Sequence, residues 1–329
     1  MKFLLIDFDG TLIENNEGVA YDPATLTLLS GVVEGLQRLR DAGMRFFITS
    51  NQSKIARGIS TEENVRAAFD HIIHILKEQG ITIEAGRWCP HCPEDNCGCR
   101  KPKTGLWEML RTSFPELVAN ETAMVGDQDK DVLFGQEIGC QTARIFSSQR
   151  PRITTPTFVI RSFVELADIL LVPADRLLPL PKAVVFSEKE HAQGHTIVTT
   201  NGAFDLFHAG HQFLLEEARK QGDVLIVGIN SDTSVRRQKG EGRPIQSAET
   251  RMRNVARFAD AVFIFDEDDP RSWLPQIKPD VHVNAAIYGE QCVERSILDD
   301  LGAKLVLVPM KKELGSTTQH LSNSSSPSS

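Results

Sequence analysis

The sequence predicts an α/β protein built as two doubly wound parallel-sheet domains. Three observations carry this. Short apolar runs alternate with helical patterns along the chain. The polar clusters fall where apolar runs end, and an open parallel sheet gathers its ligands at the carboxyl ends of its strands. The chain's 329 residues suffice for two cores of ordinary size.

Bulk numbers narrow the function classes. Hydrophobic residues make up 41% and charged residues 24%, as in ordinary globular proteins. The net charge of −8, with no basic block, argues against nucleic acid or an anionic membrane as a partner. No apolar run reaches bilayer-spanning length, and the opening M-K-F-L-L-I-D meets an aspartate too early for a signal peptide, so a cytoplasmic protein acting on small molecules is expected. Oligomeric state is left open, a homo-oligomer among the options. Of the six cysteines, four crowd between Cys89 and Cys99, which reads as a metal site rather than a disulfide framework.

In the first half, residues 2–8 form an apolar run suited to a buried strand, ending in Asp7-Phe8-Asp9-Gly10-Thr11. Paired carboxylates at such a place are costly unless a divalent cation or a transferring phosphoryl group compensates them. A second strand over 45–49 runs into Ser50-Asn51-Gln52-Ser53, and a third over 122–125 runs into Gly126-Asp127-Gln128-Asp129-Lys130-Asp131. Arg100-Lys101-Pro102 lies between them. Helical patterns over 32–42, 62–78, 105–112 and 131–138 separate these pieces. In W-C-P-H-C-P-E-D-N-C-G-C-R-K, Cys89, His91, Cys97 and Cys99 can surround one tetrahedral zinc, with Cys92 a fifth candidate.

These clusters resemble the haloacid dehalogenase (HAD) superfamily over roughly residues 1–150. C-x-H…C-x-C followed by R-K-P, with N-Q-S-K-I-A-R-G at 51–58, resembles the branch of D-glycero-D-manno-heptose 1,7-bisphosphate and histidinol-phosphate phosphatases. The resemblance implies that Asp7 attacks phosphorus and that Asp9 protonates the leaving oxygen, then activates water. It implies that Thr11, Ser50 and Asn51 contact the phosphoryl group, that Lys101 neutralises its charge, and that Arg100 reaches the substrate. Asp7, Asp127 and the carbonyl of Asp9 would hold Mg²⁺, with Asp131 orienting Lys101 or capping its helix. Cys89, His91, Cys97 and Cys99 would hold a structural Zn²⁺. Phe8 stands where the branch usually has Arg, and the short loop between His91 and Cys97 is as in the histidinol-phosphate enzymes, so both substrates stay open.

The second half turns on T-T-N-G-A-F-D-L-F-H-A-G-H, 199–211. A strand over 196–200 ends at Asn201-Gly202, a turn follows through Phe204 and Asp205, and a helical pattern runs over 212–220. Such a loop directs backbone N–H groups and a helix N-terminus at one spot, which suits phosphate. His208 and His211 can donate to a polyphosphate there. Further strands are expected over 224–230, 261–265, 280–284 and 304–308, with Asp232 a helix cap and a basic stretch of Arg236, Arg237, Lys239 and Arg243 as a candidate clamp on triphosphate. The run Ser316-Thr317-Thr318 is a second place for phosphate oxygens.

The histidine string resembles the signature of the cytidylyltransferase-like nucleotidyltransferases. With N-S-D, K-G-x-x-R-P-I, E-T-R-M and G-S-T-T, it is similar to the adenylyltransferase domain of bifunctional heptose kinase/adenylyltransferases across 194–321. The resemblance implies two Rossmann-like domains in all. In the second, His208 and His211 would stabilise the α-phosphate, Lys239 and Arg251 would handle phosphates, Ser316, Thr317 and Thr318 would bind the β/γ end, and ATP with Mg²⁺ would be the co-substrate. Asn284-Ala285-Ala286-Ile287-Tyr288 departs from the Lys-Gly-Gly-Asp-Tyr usual there. The joint expectation is a bifunctional enzyme that removes the 7-phosphate of heptose 1,7-bisphosphate and joins heptose 1-phosphate to a nucleotide. Another sugar or polyol phosphate with CTP or GTP is the alternative, as is a histidinol-phosphate-type phosphatase with a nucleotide-binding regulatory module. Domains are expected over 1–171 and 194–321, with a proline-containing linker over 172–193 and a disordered tail over 322–329.

Overall fold

The computed structural model describes residues 1–15, 19–146 and 154–309, so the expected Ser316–Thr318 run and the tail lie outside the described residues. The chain divides into two compact units, Met1–Leu171 and Val172 onward.

In the first unit the elements are β1 (Phe3–Ile6), α1 (Val32–Asp41), β2 (Arg45–Asn51), α2 (Glu62–Glu78), β3 (Ile83–Cys89), α3 (Gly105–Ser113), β4 (Thr122–Gly126), α4 (Asp129–Glu137), β5 (Gln141–Ile145), β6 (Phe158–Ile160) and α5 (Phe163–Leu170). The strands form one sheet in the order β3-β2-β1-β4-β5-β6, each neighbouring pair parallel. Side chains alternate across it. Leu4 and Ile6 join a core with Leu36 of α1, Ile72 of α2 and Leu166 of α5, while Phe3 and Leu5 meet Leu106 of α3 and Phe134 of α4 on the other face. Both faces are thus covered by helices, and the polar clusters collect at the strand ends. Phe8 is fully buried and stacks on Phe69, ring centroids 4.1 Å apart, with Tyr21 edge-on.

The second unit contains α6 (Leu180–Ala192), β7 (Ile197–Gly202), α7 (Ala209–Arg219), β8 (Val224–Asn230), α8 (Asp232–Lys239), α9 (Ala248–Ala256), β9 (Ala261–Phe265), α10 (Leu274–Ile277), β10 (Val281–Ala285), α11 (Arg295–Leu301) and β11 (Lys304–Val308). Its parallel sheet runs β11-β10-β7-β8-β9. Val198 and Leu225 pack toward α7 and α9, whereas Ile197 and Ile226 pack toward α6, α10 and α11.

Two expectations are corrected here. The stretch read as a linker, 172–193, carries helix α6, which is part of the second unit's core. Leu178 N–H donates to Val262 O at 2.9 Å, Ser187 Oγ donates to Ile277 O at 2.7 Å, and Ala183 is fully buried. Pro179 and Pro181 mark the start of that helix, where a missing N–H costs nothing. Asp232 is not the cap of α8. Ser231 is, its side chain accepting from Ser234 N–H, and Asp232 is the first helical residue.

Candidate active sites

The first unit's site forms at the carboxyl ends of β1, β2 and β4. Gly10 lets the chain turn directly after β1: its φ is +76°, and a Cβ there would sit 2.6 Å from Asp127 Oδ2. One ligand oxygen each from Asp7, Asp127 and Asp131 lies within 4.8 Å of the others, and all three residues are buried. Lys101 is nearly inaccessible and holds this group together. Its Nζ reaches Asp7 Oδ1 at 2.8 Å, Asp131 Oδ1 at 2.7 Å and Thr49 O at 2.6 Å. Burial works against the ammonium, yet the charges of Asp131 and Asp7 prevail and raise its pKa. Asp131 is engaged at both oxygens, since Oδ2 accepts Gln128 N–H at 3.1 Å. That favours an orienting role for Asp131 and leaves Asp7 and Asp127 as the hard oxygen donors suited to Mg²⁺.

Asp9 stands apart from that cluster. Its Oδ2 accepts from Tyr21 Oη at 2.6 Å and Gln52 Nε2 at 2.9 Å, while Lys54 Nζ lies 3.9 Å from Oδ1. Burial raises its pKa, and the Lys54 charge and the Tyr21 hydrogen bond pull the other way. A carboxyl that tends to keep its proton suits the acid role. Gln52 also donates to Ser50 Oγ at 2.9 Å. Tyr21, Gln52 and Lys54 were absent from the candidate set. Gln52 and Lys54 sit inside the quoted N-Q-S-K string, whereas Tyr21 has no local signal and arrives through folding.

Asp7, Asp9, Ser50, Asn51 and Arg100 line one cavity of about 460 Å³. Of the expected phosphate contacts, Asn51 lines the cavity and also braces Lys101, and Thr11 stands away from it. Asn51 joins Lys101 through its amide: Nδ2 donates to Lys101 O at 3.0 Å and Oδ1 accepts Lys101 N–H at 2.9 Å. It therefore fixes the backbone of Lys101. Thr11 is fully buried and does not line the cavity.

Beside the cavity, Cys89, His91, Cys97 and Cys99 converge. Cys97 Sγ lies 3.5 Å from Cys89 Sγ and 3.6 Å from Cys99 Sγ, and His91 Nδ1 lies 3.6 and 3.4 Å from Cys89 Sγ and Cys99 Sγ. A tetrahedral zinc with Zn–S of about 2.3 Å requires sulfur–sulfur edges of roughly 3.8 Å, so this set fits the ion. Cys92 turns away toward Ser53 O at 3.8 Å. Arg100 Nη1 donates to His91 O at 3.0 Å, which ties a cavity cation to the metal loop.

In the second unit the helix starts earlier than its apolar pattern suggests. His208 is the N-cap of α7 and His211 lies in the first turn. His208 Nδ1 accepts Gly210 N–H at 3.1 Å, which places the neutral ring's proton on Nε2. The two rings stack with centroids 3.7 Å apart, and Phe204 packs 5.2 Å from His211. Asn201 and Gly202 close β7 beside them.

Asp205 and Arg251, expected to contact phosphate or substrate, are used internally. Asp205 accepts Ile245 N–H and Gln246 N–H, each at 3.0 Å, and Arg243 Nη1 at 2.5 Å, so it clamps the basic loop. Arg251 is fully buried, its guanidinium donating to Ala203 O, Asn230 O, Gln246 O and Asp232 Oδ1. In the basic stretch, Arg237 pairs with Asp268 at 2.9 Å, and Lys239 stays exposed at the end of α8. Where the sequence departs from Lys-Gly-Gly-Asp-Tyr, Asn284 Nδ2 lies 3.5 Å from the buried Glu294 Oε2.

Comparison with known proteins follows this division. Residues 2–139 match the family model described as Polynucleotide kinase 3 phosphatase, and residues 199–325 match Cytidylyltransferase-like. The two units thus have a HAD-like fold and a cytidylyltransferase-like fold. Among its relatives is the Bifunctional protein HldE of Gluconobacter oxydans, 40% identical over 46% of this chain and 32% of that protein. The Streptomyces coelicolor protein of the same name is 46% identical over 36% of this chain and 26% of its own length. The match spans about a third of these relatives or less. The D,D-heptose 1.7-bisphosphate phosphatase from B. bronchiseptica, solved with magnesium and phosphate, is 25% identical over 52% of this chain and 98% of its own, with a TM-score of 0.48.

Proposed function

We propose that the protein is a bifunctional enzyme of nucleotide-activated heptose synthesis. The first unit would release the 7-phosphate of D-glycero-D-manno-heptose 1,7-bisphosphate, and the second would transfer AMP from ATP to heptose 1-phosphate, releasing pyrophosphate. The observation that supports this is the presence on one chain of two different polar sites, a carboxylate–lysine cluster suited to phosphate hydrolysis and a histidine-capped helix suited to nucleotidyl transfer.

In the first step Asp7 attacks phosphorus, and Asp9, held by Tyr21 and Gln52, gives its proton to the leaving oxygen. Asp9 then takes a proton from the water that opens the aspartyl phosphate. Asp7, Asp127 and the Asp9 carbonyl would hold Mg²⁺, which supplies charge neutralisation at the phosphoryl oxygens. Lys101 stabilises the charge that builds there. In the second step the sugar phosphate oxygen attacks the α-phosphorus in line, and His208 and His211 donate to its oxygens. Catalysis there is positioning and charge stabilisation.

The test supplies the full chain with Mg²⁺ and heptose 1,7-bisphosphate, in parallel with ATP, GTP and CTP, and follows phosphate, pyrophosphate and nucleotide-heptose. Phosphate release and ADP-heptose are expected. A double His208→Asn, His211→Asn variant should lose pyrophosphate and keep phosphate release. If transfer survives in that variant, the histidine assignment fails. If neither product forms with any nucleotide, the substrate class is wrong.

A further inference from the structure

The chain leaving β4 carries three carboxylates, and they are put to different uses. Asp127 joins Asp7 in the buried acidic cluster. Asp131 pairs with Lys101. Asp129, the first residue of α4, pairs with Arg144 of β5. Neither Asp129 nor Arg144 lines the cavity, and the chemistry above gives them no part.

Arg144 is 4% exposed. In the parallel pairing of β5 with β4 it stands opposite Gly126, the residue before Asp127. Its neighbour Ala143 joins the core against α1, α2 and α5, so alternation sends Arg144 to the face that α4 covers. There its Nη1 donates to Asp129 Oδ1 at 2.7 Å and its Nε donates to the main-chain Asp127 O at 3.3 Å. Asp129 Oδ1 also accepts the Thr154 N–H at 3.0 Å and the Thr154 hydroxyl. One carboxylate oxygen thus ties the start of α4 to β5 and to the chain leading into β6. On its other side the turn is hemmed in, because a Cβ on Gly126 would sit 2.4 Å from Asp131 Cβ. An aspartate side chain is short, so a shift of the main chain at residue 127 carries the ligand oxygens with it. Mg²⁺ demands near-ideal octahedral geometry, so its affinity is sensitive to such a shift.

We propose that Arg144 is a positioning residue for the divalent cation of the first unit. From β5 it fixes the main chain at Asp127, with Asp129 as its anchor, and so sets where the Asp127 carboxylate meets the ion. This rests on the reading of Asp127 as a metal ligand and extends it to a pair of residues on neighbouring elements. Arginine suits the task because its rigid fork serves a carbonyl and a carboxylate at once.

The experiment titrates the full-length protein, without substrate, with Mn²⁺ as an oxygen-seeking octahedral stand-in for Mg²⁺, and reads the free ion by its EPR signal. Phosphate release from heptose 1,7-bisphosphate is then followed over a Mg²⁺ series. Wild type, Arg144→Met, Arg144→Lys, Asp129→Asn and the double variant Arg144→Met, Asp129→Asn are compared. Arg144→Met should weaken metal binding about tenfold, with kcat recovering at high Mg²⁺ and KM for the sugar unchanged. Asp129→Asn should weaken it less, and the double variant should be no worse than Arg144→Met, since both act through one contact. Arg144→Lys should restore part of the affinity. Asp129 is half-buried at the start of a helix, so its variant keeps the fold and the test stands even if Arg144→Met does not accumulate. Metal affinity unchanged in Arg144→Met and Asp129→Asn, with only a lower melting temperature, overturns the proposal, as do additive losses in the double variant. Absence of metal binding in wild type overturns it too. Metal binding without phosphate release overturns the phosphatase reading alone, and the comparison of variants still decides the role of Arg144.

Discussion

Replacing Arg251 by Met should unfold the second unit far more readily, because the residue acts as an internal rivet. Its guanidinium donates to three backbone carbonyls, Ala203, Asn230 and Gln246, and to Asp232. Those carbonyls belong to the histidine loop, the end of β8 and the approach to α9, which nothing in sequence order brings together. Methionine fills part of the volume and offers no donor. Each interior acceptor left short costs about 1–3 kcal/mol, and truncating one side of a buried charged network typically costs about 3–5 kcal/mol in all. Against a domain stability of roughly 5–15 kcal/mol this is a large share. For a unit of this size it corresponds to a melting-temperature drop of roughly 10–15 °C. Calorimetry on the full chain, with hydrogen exchange assigning the transition to residues 172–309, reads the shift. Lys239→Met, at an exposed position, should leave the transition in place. If Arg251→Met melts like wild type and loses only nucleotide affinity, the rivet argument is refuted and Arg251 is a phosphate ligand after all.

Three further outcomes are expected. His282 is fully buried, and burial pulls its pKa down to about 3 from its ordinary 6.5. The unfolded chain therefore takes up a proton between pH 6.5 and 3 that the folded chain refuses, so the second unit should lose about 1.4 kcal/mol per pH unit on acidification through that window; an equally steep loss in His282→Gln would count against it. Cys97→Ser should abolish stoichiometric zinc and reduce phosphate release while pyrophosphate release persists, whereas Cys92→Ser should retain the metal; metal analysis showing the reverse moves the ligand set. Tyr21→Phe removes the 2.6 Å donor to Asp9 and should lower kcat for phosphate release about tenfold, and an unchanged kcat would reduce Tyr21 to a packing role.

Much of the fold was legible because local patterns and the fold agree. Helix α2 and strands β8, β9 and β11 lie where periodicity puts them. Strand β3 was not legible. Its residues include Glu84, Gly86 and Arg87, and only its position at the sheet edge beside β2 explains them. Helix α6 was hidden by its prolines, which serve as a helix start as well as they would serve a linker. At the site, Asp7, Asp9, Lys101 and Asp127 stand at strand ends where alternation of strand and helix predicts ligands, and the structure gathers Asp7, Lys101 and Asp127 around one buried point. Sequence named Asp205, in the loop after β7, and Arg251, at the opening of α9, as groups for phosphate or substrate. It could not show that both are held by hydrogen bonds within the protein itself.

The amino-acid sequence by itself determined the two parallel sheets, the places where polar residues meet strand ends, and the thiol density that calls for a metal. Those follow from spacing along the chain. Tertiary structure alone decided which polar groups face the substrate and which hold the scaffold. It brought Tyr21 onto Asp9, turned Cys92 away from the other thiols, and sank Arg251 into a web of carbonyls. The physical reason is that a buried polar group must be satisfied by whichever partner folding brings within about 3 Å, and those partners come from segments remote in sequence.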